Sequence, residues 1–251
     1  MLATEGLSKD FGGIRAVHQV DLAVREGQIL GLIGPNGSGK STIVNLVTGV
    51  HHPSAGRVRY HDRDITGWPP HRVLAAGIGR TFQNIRLFGG LTVWQNLWVV
   101  RHAPSARASG PVSRWLARDR TRLRHIEATL DSCRLLDKRD ELARNLAFGE
   151  QRRLELARTL AAEPDLLLLD EPAAGMNAAE IEDLRARILA LRQRGKTVVL
   201  IEHHMELVMT VADQVVVLNF GQKIAEGSPA AVQDDGRVRE AYLGTRRDRD
   251  G

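Results

Sequence analysis

The spacing of apolar residues changes several times along the chain, and each change predicts a different element. Short segments within residues 1–30 and 56–66, such as Val17–Val24, alternate apolar and polar residues as antiparallel strands do. Gln28–Gly34 is apolar enough for a buried strand and runs into a glycine-rich loop. The following residues, Ser41–Val50, have the pattern of a helix.

The second half of the chain repeats this order of strand and helix. Residues 68–145 lack strong strand signals and contain helical patterning. A strand is predicted at Leu166–Leu169. The helix that follows has Gly195 as its C-terminal cap and one apolar face, formed by Ile181, Leu184, Ile188 and Leu191. After it, the pattern predicts two buried strands within 196–204 and 213–221 and a hairpin arm at 222–227.

Strands that alternate with helices predict an α/β fold, with a mostly parallel sheet and helices on its faces. The alternating N-terminal segments add an antiparallel β subdomain, and the helical stretch in the middle of the chain interrupts the sheet as an insertion. The sequence contains no internal repeat, so we expect one such unit per chain.

Composition sets the size and class of the protein. The chain has 251 residues, 43% of them apolar, which is enough for a real core in one large or two small domains. Its apolar runs are much shorter than the about 20 residues of a membrane-spanning helix, and we expect no signal peptide. The single cysteine, Cys133, excludes an internal disulfide and is typical of a reducing compartment.

The net charge of +5 comes mainly from arginine, which is densest between Arg101 and Arg124. Three interpretations of this basic cluster are open on composition: a nucleic-acid patch, a face near anionic lipid, and a solvated helix surface. The last of these needs the fewest assumptions.

The segment "GPNGSGKST", from Gly34 to Thr42, fits the phosphate-loop pattern G-x-x-x-x-G-K-[ST]. Glycines at these places let backbone N–H groups converge on phosphate oxygens, and the helix that follows directs its positive end at the same anion. Lys40 should reach the β- and γ-phosphates, and Ser41 should give its hydroxyl to Mg²⁺. The predicted order of strand, loop and helix is the context that this motif requires.

Two acids stand at the end of the strand "LLLLDEP". Asp170 lies where ligands bind in open α/β sheets, and it can hold Mg²⁺ through the water shell of the ion. Glu171 is one residue further, where a carboxylate can polarise a water that attacks the γ-phosphate. Together with the phosphate loop, these acids predict ATP or GTP with Mg²⁺.

With "LAFGEQRRLELARTL" between these two motifs, the chain resembles the ATP-binding subunits of ABC transporters over almost its whole length. "GPNGSGKST" is similar to the Walker A loop of that family, "LLLLDEP" to the Walker B strand, and "LAFGEQ" to the ABC signature. Gln83 matches the Q-loop glutamine, His203 the switch histidine, "PAAGMN" the D-loop, and Phe11 the aromatic residue that stacks on adenine.

The resemblance implies a P-loop NTPase (RecA-like) fold and a head-to-tail pair of subunits, with ATP between the Walker A loop of one and the signature of the other. Glu171, His203 and Gln83 are implied to be catalytic, and Ser41, Gln83 and Asp170 to bind Mg²⁺. The residues implied to bind ATP are Phe11, Gly34, Pro35, Asn36, Gly37, Ser38, Gly39, Lys40, Ser41 and Thr42, with Leu146, Ala147, Phe148, Gly149 and Glu150 of the signature facing the ATP of the other subunit.

The chain departs from the family pattern at a few positions. The common signature is L-S-G-G-Q, so Ala147 removes a hydroxyl and Glu150 replaces an amide by an acid. Asn177 stands where many D-loops have aspartate, and with Glu180 it resembles a helix-capping box. His204 also replaces a usual aspartate. Two arginines, 152 and 153, follow the signature near a helix N-terminus, where they either strengthen the field for phosphate or contact neighbouring acids.

Further segments resemble one subfamily. "RTFQNIRLFGGLTVWQNLWV" and "VREAYLG" are similar to the ATPases of branched-chain amino acid uptake systems, although urea-type uptake and lipopolysaccharide-export ATPases share much of the pattern. A resemblance to the first implies membrane permease subunits, a second ATP-binding subunit and, indirectly, a solute-binding protein as partners, at the cytoplasmic face of the membrane. The groove for the permease would be lined from Phe82, Phe88, Leu91, Val93, Trp94 and Trp98, some of which must serve the core of the helical insertion.

Two other classes of protein remain as alternatives. A non-transport ABC ATPase acting on ribosomes or DNA could use the basic cluster, but such proteins usually carry two cassettes or long coiled-coil arms, and we expect no nucleic-acid partner. A small-molecule kinase would not need the signature. We therefore predict a single ABC ATPase domain, with an ATP-binding core at 1–85 and 159–251 and a helical signature subdomain at 86–158.

Overall fold

A computed structural model of the protein describes residues 1–81, 86–101 and 123–247. The predictions for Phe82 and Gln83, and most of the basic cluster, lie outside these residues. The chain divides into two compact units, one made of Met1–Arg80 and Asp165–Gly251 and the other of Thr81–Pro164. The assignment of ATP binding to the first unit and of the signature to the second stays a prediction.

The larger unit contains two sheets. The strands are β1 (Leu2–Phe11), β2 (Ile14–Val24), β3 (Ile29–Ile33), β4 (Ala55–Tyr60), β5 (Arg63–Asp64), β6 (Ile78–Arg80), β7 (Leu166–Asp170), β8 (Thr197–Ile201), β9 (Gln214–Asn219) and β10 (Gln222–Gly227). Sheet order is β2-β1-β4-β5 in the first and β10-β9-β3-β8-β7-β6 in the second. The first sheet is antiparallel, and the second is parallel except for the β10–β9 pair.

The parallel arrangement decides where the functional residues meet. Every residue of β3, β7 and β8 is buried, so these strands form the interior of the second sheet. Because they run in the same direction, their carboxyl ends lie at one edge, and the segments that begin at Gly34, Glu171 and Glu202 leave the sheet there. The predicted α/β fold, with its mostly parallel sheet and antiparallel subdomain, is confirmed.

One strand was not predicted. Residues 68–145 gave no strong strand signal, but Ile78–Arg80 forms β6 and pairs in parallel with β7. The strand has only three residues and one neighbour, because it stands at the end of the sheet order. Three residues are too few to establish an alternating or a continuous apolar pattern.

The helices of this unit are α1 (Lys40–Val47), α2 (Pro70–Ala76), α6 (Ala178–Gln193), α7 (Met205–Val211), α8 (Pro229–Asp234) and α9 (Gly236–Arg247). On α6 three of the four residues of the predicted apolar face, Leu184, Ile188 and Leu191, are buried, and Ile181 is partly buried. Gly195 follows the helix with φ 75°, as a glycine that ends a helix often does.

The smaller unit consists of helices around a core of its own. These are α3 (Val93–Arg101), residues 123–132 of a helix α4, two short 3-10 turns, and α5 (Phe148–Ala161). Its buried residues are Val93, Leu97, Ile126, Leu130, Cys133, Leu135, Ala143, Leu146, Leu154, Ala157 and Ala161. Trp94 and Trp98 stack on each other at 4.8 Å and pack against this core, while Phe88 is 49% exposed.

No helix within the described parts of the chain is long and apolar enough to cross a bilayer.

The predicted capping box at the start of α6 is confirmed. The Asn177 side chain accepts a hydrogen bond from the Glu180 backbone N–H at 3.0 Å, and the Glu180 carboxylate accepts one from the Asn177 N–H at 2.9 Å. Each bond satisfies a backbone donor that the helix itself leaves unpaired.

Replacing Asn177 by alanine should therefore destabilise the protein by about 1 kcal/mol, because alanine cannot accept the Glu180 N–H. Urea unfolding followed by circular dichroism measures this change. The control is Gln193→Ala at the exposed last residue of α6, which should alter stability by less than about 0.5 kcal/mol. Equal stability of the two variants would mean that the cap contributes nothing.

Candidate functional site

The predicted phosphate loop joins β3 to α1 and is held by close backbone contacts. A Cβ atom on Gly39, whose φ is 101°, would lie 2.7 Å from the Ala16 carbonyl oxygen, and one on Gly34 would overlap the Leu218 carbonyl oxygen. Only glycine fits at these two positions, because backbone carbonyl oxygens already occupy the space that a Cβ atom would need, and the loop is a tight turn of bare backbone there. This is the geometry in which successive N–H groups can surround a phosphate.

Lys40 lies at the start of α1 and is almost completely buried, with 5% of its surface exposed. Its ammonium group donates to the carbonyl oxygens of Gly34 at 2.7 Å and Pro35 at 2.9 Å. Burial lowers the pKa of Lys40, and the charges of Glu171 and Asp170 oppose that shift. A buried cation beside a cradle of glycines fits the negative charge of a nucleotide's phosphates.

The other residues of the loop differ in their exposure. Ser38 is buried, and its carbonyl oxygen accepts a hydrogen bond from the Gly221 N–H at 3.0 Å. Asn36, Gly37 and Ser41 are exposed at this edge of the sheet, while Pro35, Gly39 and Thr42 are partly buried. The side chain of the exposed Ser41 ends in a hydroxyl, and hydroxyl oxygen is a type of ligand that Mg²⁺ prefers.

Asp170, the last residue of β7, is 2% exposed and forms an ion pair that the sequence did not predict. Its Oδ2 accepts from the Arg80 guanidinium at 2.7 Å. The same guanidinium donates to Asn45 Oδ1 at 2.7 Å and lies 3.3 Å from the Thr48 hydroxyl. Arg80 therefore ties β6, β7 and the end of α1 together. A carboxylate offers about four acceptor positions, so this pair is compatible with a second bond from a Mg²⁺-bound water.

We expect Arg80→Met to lower the free energy of unfolding by about 3 to 5 kcal/mol, because it leaves the buried Asp170 carboxylate without its arginine. Guanidinium unfolding measures the change. Arg187→Met is the matched control, since the Arg187 side chain is 12% exposed, against 13% for Arg80, and pairs with the more exposed Asp183 at 2.9 Å. A loss no larger than that of the control would contradict the role of the buried pair.

Glu171 follows Asp170 in a turn with a left-handed backbone, at φ 48°. Its N–H donates to the Ile201 carbonyl oxygen at 2.9 Å, which fixes the turn to the end of β8. A residue other than glycine in this region is uncommon and is held by its surroundings. The turn therefore bends the chain out of line with the buried strand, and Glu171 is near enough to Lys40 for its charge to raise the pKa of that lysine.

The two histidines after β8 have different surroundings. The His203 side chain is 57% exposed. His204 is the N-cap of α7, because its Nδ1 accepts from the Leu207 N–H at 3.3 Å. A neutral imidazole can thus take the acceptor role of the aspartate that the family usually has at this position.

Phe11 ends β1 and is 43% exposed. The His51 ring meets it edge-on at 5.2 Å, and the Lys9 ammonium lies 5.0 Å from its ring centre. A partly exposed aromatic ring is what stacking on a base requires. Stacking of Phe11 on adenine stays a prediction.

The signature segment lies in the smaller unit, at the start of α5. Leu146 is buried, whereas Phe148 is 51% exposed and meets the Arg152 guanidinium at 5.4 Å. The Glu150 carboxylate accepts from the Ala147 N–H at 3.0 Å, and it pairs with Lys138 at 2.7 Å. The hydrogen bond from Lys138 is the main cause of the lowered pKa of Glu150. Glu150 therefore completes the helix N-terminus, which explains one departure from the family pattern.

The two arginines of this first turn contact acids of their own helix. Arg153 lies 3.6 Å from Glu150, and Arg152 lies 3.8 Å from the buried Glu155. These pairs offset the unfavourable effect of positive charge near a helix N-terminus. Of the two explanations that the sequence left open, contact with neighbouring acids is the one the structure supports.

Sequence reasoning missed three residues of this region. Arg80 and Glu202 hold the ends of the strands through side chains whose partners are distant in sequence. Tyr242 of α9 is the third: burial raises its pKa to about 12, while a hydrogen bond with the Gly34 backbone opposes the shift. The signals available were a charged residue inside "LIEHH" and the tyrosine of "VREAYLG". Gln83 lies outside the described residues, so its predicted role is not addressed by the geometry.

Comparison with known proteins gives consistent matches. Residues 17–174 match a family described as ABC transporter, and residues 222–248 match one described as branched-chain amino acid ATP-binding cassette transporter. The chain is 41% identical to the high-affinity branched-chain amino acid transport ATP-binding protein BraF of Pseudomonas aeruginosa, over 97% of this chain and 98% of that protein. It is 39% identical to the corresponding LivG protein of Escherichia coli K12, with the same coverage.

A solved structure gives the same result. The ADP conformation of MJ1267, an ATP-binding cassette of an ABC transporter, is similar with a TM-score of 0.86 and 32% identity, over 97% of this chain and 98% of that one.

Proposed function

The chain belongs to the ABC transporter family, as an ATP-hydrolysing subunit, and from this membership we propose that it powers the import of branched-chain amino acids through a membrane permease. The observation that carries the proposal is the similarity to BraF and LivG along almost the whole chain, including the C-terminal segment at 222–248. Membership in the family gives ATP and Mg²⁺ as cofactors. It also places the chain among proteins that pair with a second ATP-binding subunit and with permease subunits.

The residues of the phosphate loop bind the nucleotide in this proposal. Backbone N–H groups of the segment from Gly34 to Thr42, in which only Pro35 has none to donate, surround the phosphates. Lys40 turns its ammonium group from its own loop to the β- and γ-phosphates. Ser41 and Asp170 hold Mg²⁺, with Gln83 as a further ligand. When bound, Mg²⁺ neutralises charge that develops on the phosphate oxygens. Phe11 stacks on the adenine base.

Two further side chains act on the transferred phosphate. Glu171 takes a proton from the attacking water, as a general base one residue beyond the Mg²⁺ ligand. His203, exposed at the same edge, donates a hydrogen bond to the γ-phosphate and stabilises its charge. The signature segment from Leu146 to Glu150 presents the N-terminus of α5 to the ATP held by a second subunit, where backbone N–H groups favour an anion.

Closure of two such subunits on ATP transmits force to the permease at the cytoplasmic face of the membrane. Phe88, which is 49% exposed, and the stacked Trp94–Trp98 pair belong to the face that we propose to receive the permease. A solute-binding protein would deliver the cargo on the opposite side of the membrane and contact the chain only indirectly.

Uptake by a reconstituted transporter tests this proposal. The subunit is assembled with its permease in proteoliposomes, ATP is enclosed, and accumulation of radiolabelled leucine is measured with the cognate binding protein present. The control is Lys40→Ala, which should bind ATP poorly and transport nothing. Transport of urea or short amides in place of leucine, or export of lipopolysaccharide, would replace the proposed cargo and leave the ATPase assignment in place.

A further inference from the structure

A buried carboxylate connects the two turns that carry the proposed catalytic groups. Glu202 follows β8 directly and has no exposed surface. Removing a carboxylate from water is strongly unfavourable unless hydrogen bonds replace the lost hydration. A charged residue at this position must therefore be held by specific donors.

Three backbone N–H groups supply those bonds. The Ala173 N–H donates to Glu202 Oε1 at 2.7 Å, and the N–H groups of His203 and His204 donate to Oε2 at 3.0 and 3.2 Å. One oxygen of the carboxylate thus accepts a hydrogen bond from the turn after β7, and the other accepts hydrogen bonds from the turn after β8.

These two turns hold the groups that the proposed function needs. Ala173 is two residues from Glu171, whose own N–H donates to the Ile201 carbonyl oxygen at 2.9 Å. The turns are joined on one side by this backbone bond and on the other by the Glu202 carboxylate. A displacement of either turn has to break one of these contacts or carry the other turn with it.

The His203 ring also lies close to the carboxylate. Its Nδ1 is 3.7 Å from Glu202 Oε2, which is too long for a hydrogen bond but within the range of an ion pair. A small rotation of the ring would make Nδ1–H a donor to Glu202. With Nδ1–H donating to Glu202, the ring would turn Nε2 towards the γ-phosphate, and Nε2 donates to that phosphate in the form of the ring that carries hydrogen on both nitrogens.

We infer that Glu202 is a positioning residue, which fixes the Glu171 turn and His203 relative to each other and orients the His203 ring. The inference rests on the proposed roles of Glu171 and His203, and it does not depend on the identity of the cargo. A buried acid that only stabilised the strand end would have no need to contact both turns.

Glu202→Gln tests the inference because glutamine has the same size but only one acceptor oxygen. It can accept from the Ala173 turn or from the histidine turn, but not from both. With the subunit assembled with its permease, we expect kcat for ATP hydrolysis to fall about 10- to 100-fold, as the loss of an orienting partner usually gives, and KM for ATP to change less than about threefold.

A double-mutant cycle separates positioning from general loss of structure. If Glu202 acts through His203, adding Glu202→Gln to His203→Ala should change kcat less than about twofold. An equal loss in both backgrounds would overturn the inferred orientation of His203 by Glu202, while leaving the proposed role of His203 intact. A His203→Ala variant with unchanged kcat would overturn both the inference and the proposed role of His203.

The second readout needs no nucleotide. Histidine side-chain nitrogen resonances of the purified subunit, assigned with His203→Ala, should move for His203 when Glu202 is replaced. Asp213→Asn is the matched control, because Asp213 also accepts a backbone N–H, from Ile29 at 2.9 Å, and pairs with Arg192 away from the nucleotide edge. It should leave the His203 resonances and kcat unchanged. Unmoved resonances in Glu202→Gln would also overturn the inference.

Discussion

Replacing Glu171 by glutamine should reduce ATP hydrolysis by about 10²- to 10⁴-fold, the range in which a general base contributes to catalysis. Glutamine keeps the shape of the side chain but cannot take a proton from water. The turn is held by the backbone bond to Ile201, which the substitution does not touch. ATP binding should therefore survive, and the closed pair of subunits should accumulate because hydrolysis no longer opens it.

Release of phosphate measures the first effect, and size-exclusion chromatography with light scattering at saturating Mg²⁺-ATP measures the second. Glu182→Gln is the matched control, because the Glu182 side chain is 64% exposed on α6 and pairs with Arg185 of the same helix. It should hydrolyse ATP at the wild-type rate. A Glu171→Gln protein that stays monomeric with saturating ATP would count strongly against the proposed cycle.

Replacing Gly34 by alanine should have the largest effect on nucleotide binding. The added methyl group would overlap the Leu218 carbonyl oxygen and lie 2.6 Å from the Ser38 hydroxyl, so β9 or the phosphate loop has to move. We expect a loss of stability of about 3 to 5 kcal/mol, together with loss of measurable ATP binding, because the Gly34 carbonyl also accepts from Lys40.

Gly37→Ala is the matched control within the same loop. Gly37 has a left-handed backbone, with φ 78°, but a Cβ atom there would meet nothing within 4 Å. The change should therefore cost only about 1 to 2 kcal/mol of backbone strain. Calorimetry of ATP binding and thermal unfolding compare the two variants. Similar binding by both would mean that steric overlap at Gly34 does not control the loop.

The sequence was most informative where a function depends on neighbouring residues. The phosphate loop and the capping box at Asn177 each occupy a few consecutive positions, and the bonds of Lys40 to the Gly34 carbonyl and of Asn177 to Glu180 form within that span. The glycines and the lysine are required by the shape of the loop itself. Their identification from sequence therefore needed no knowledge of the rest of the fold.

Residues whose partners are remote in sequence could not be found in this way. Arg80 meets Asp170 ninety positions later, and Glu202 meets the Ala173 N–H twenty-nine positions earlier. Both contacts exist only because parallel strands bring their carboxyl ends to one edge of the sheet. Before the strand order is known, a charged residue beside a buried strand looks like any other strand-end residue.

The departures from the family pattern show a related limit of prediction from sequence. Glu150 and His204 looked like changes to the nucleotide site when each was compared with the usual residue. In the structure both complete the N-terminus of a helix, one by accepting from Ala147 and the other by accepting from Leu207.

The burial of Cys133 makes the protein convenient for spectroscopic labelling. It is the chain's one cysteine and is 2% exposed within the core of the smaller unit, so thiol reagents should react with it slowly in the folded state. If a cysteine is introduced at Ile14, which is 73% exposed, a thiol-reactive spin label would attach almost entirely to that cysteine and hardly to Cys133. In a homodimer this gives one label per subunit, and the distance between the two labels would follow opening and closing without first removing native thiols.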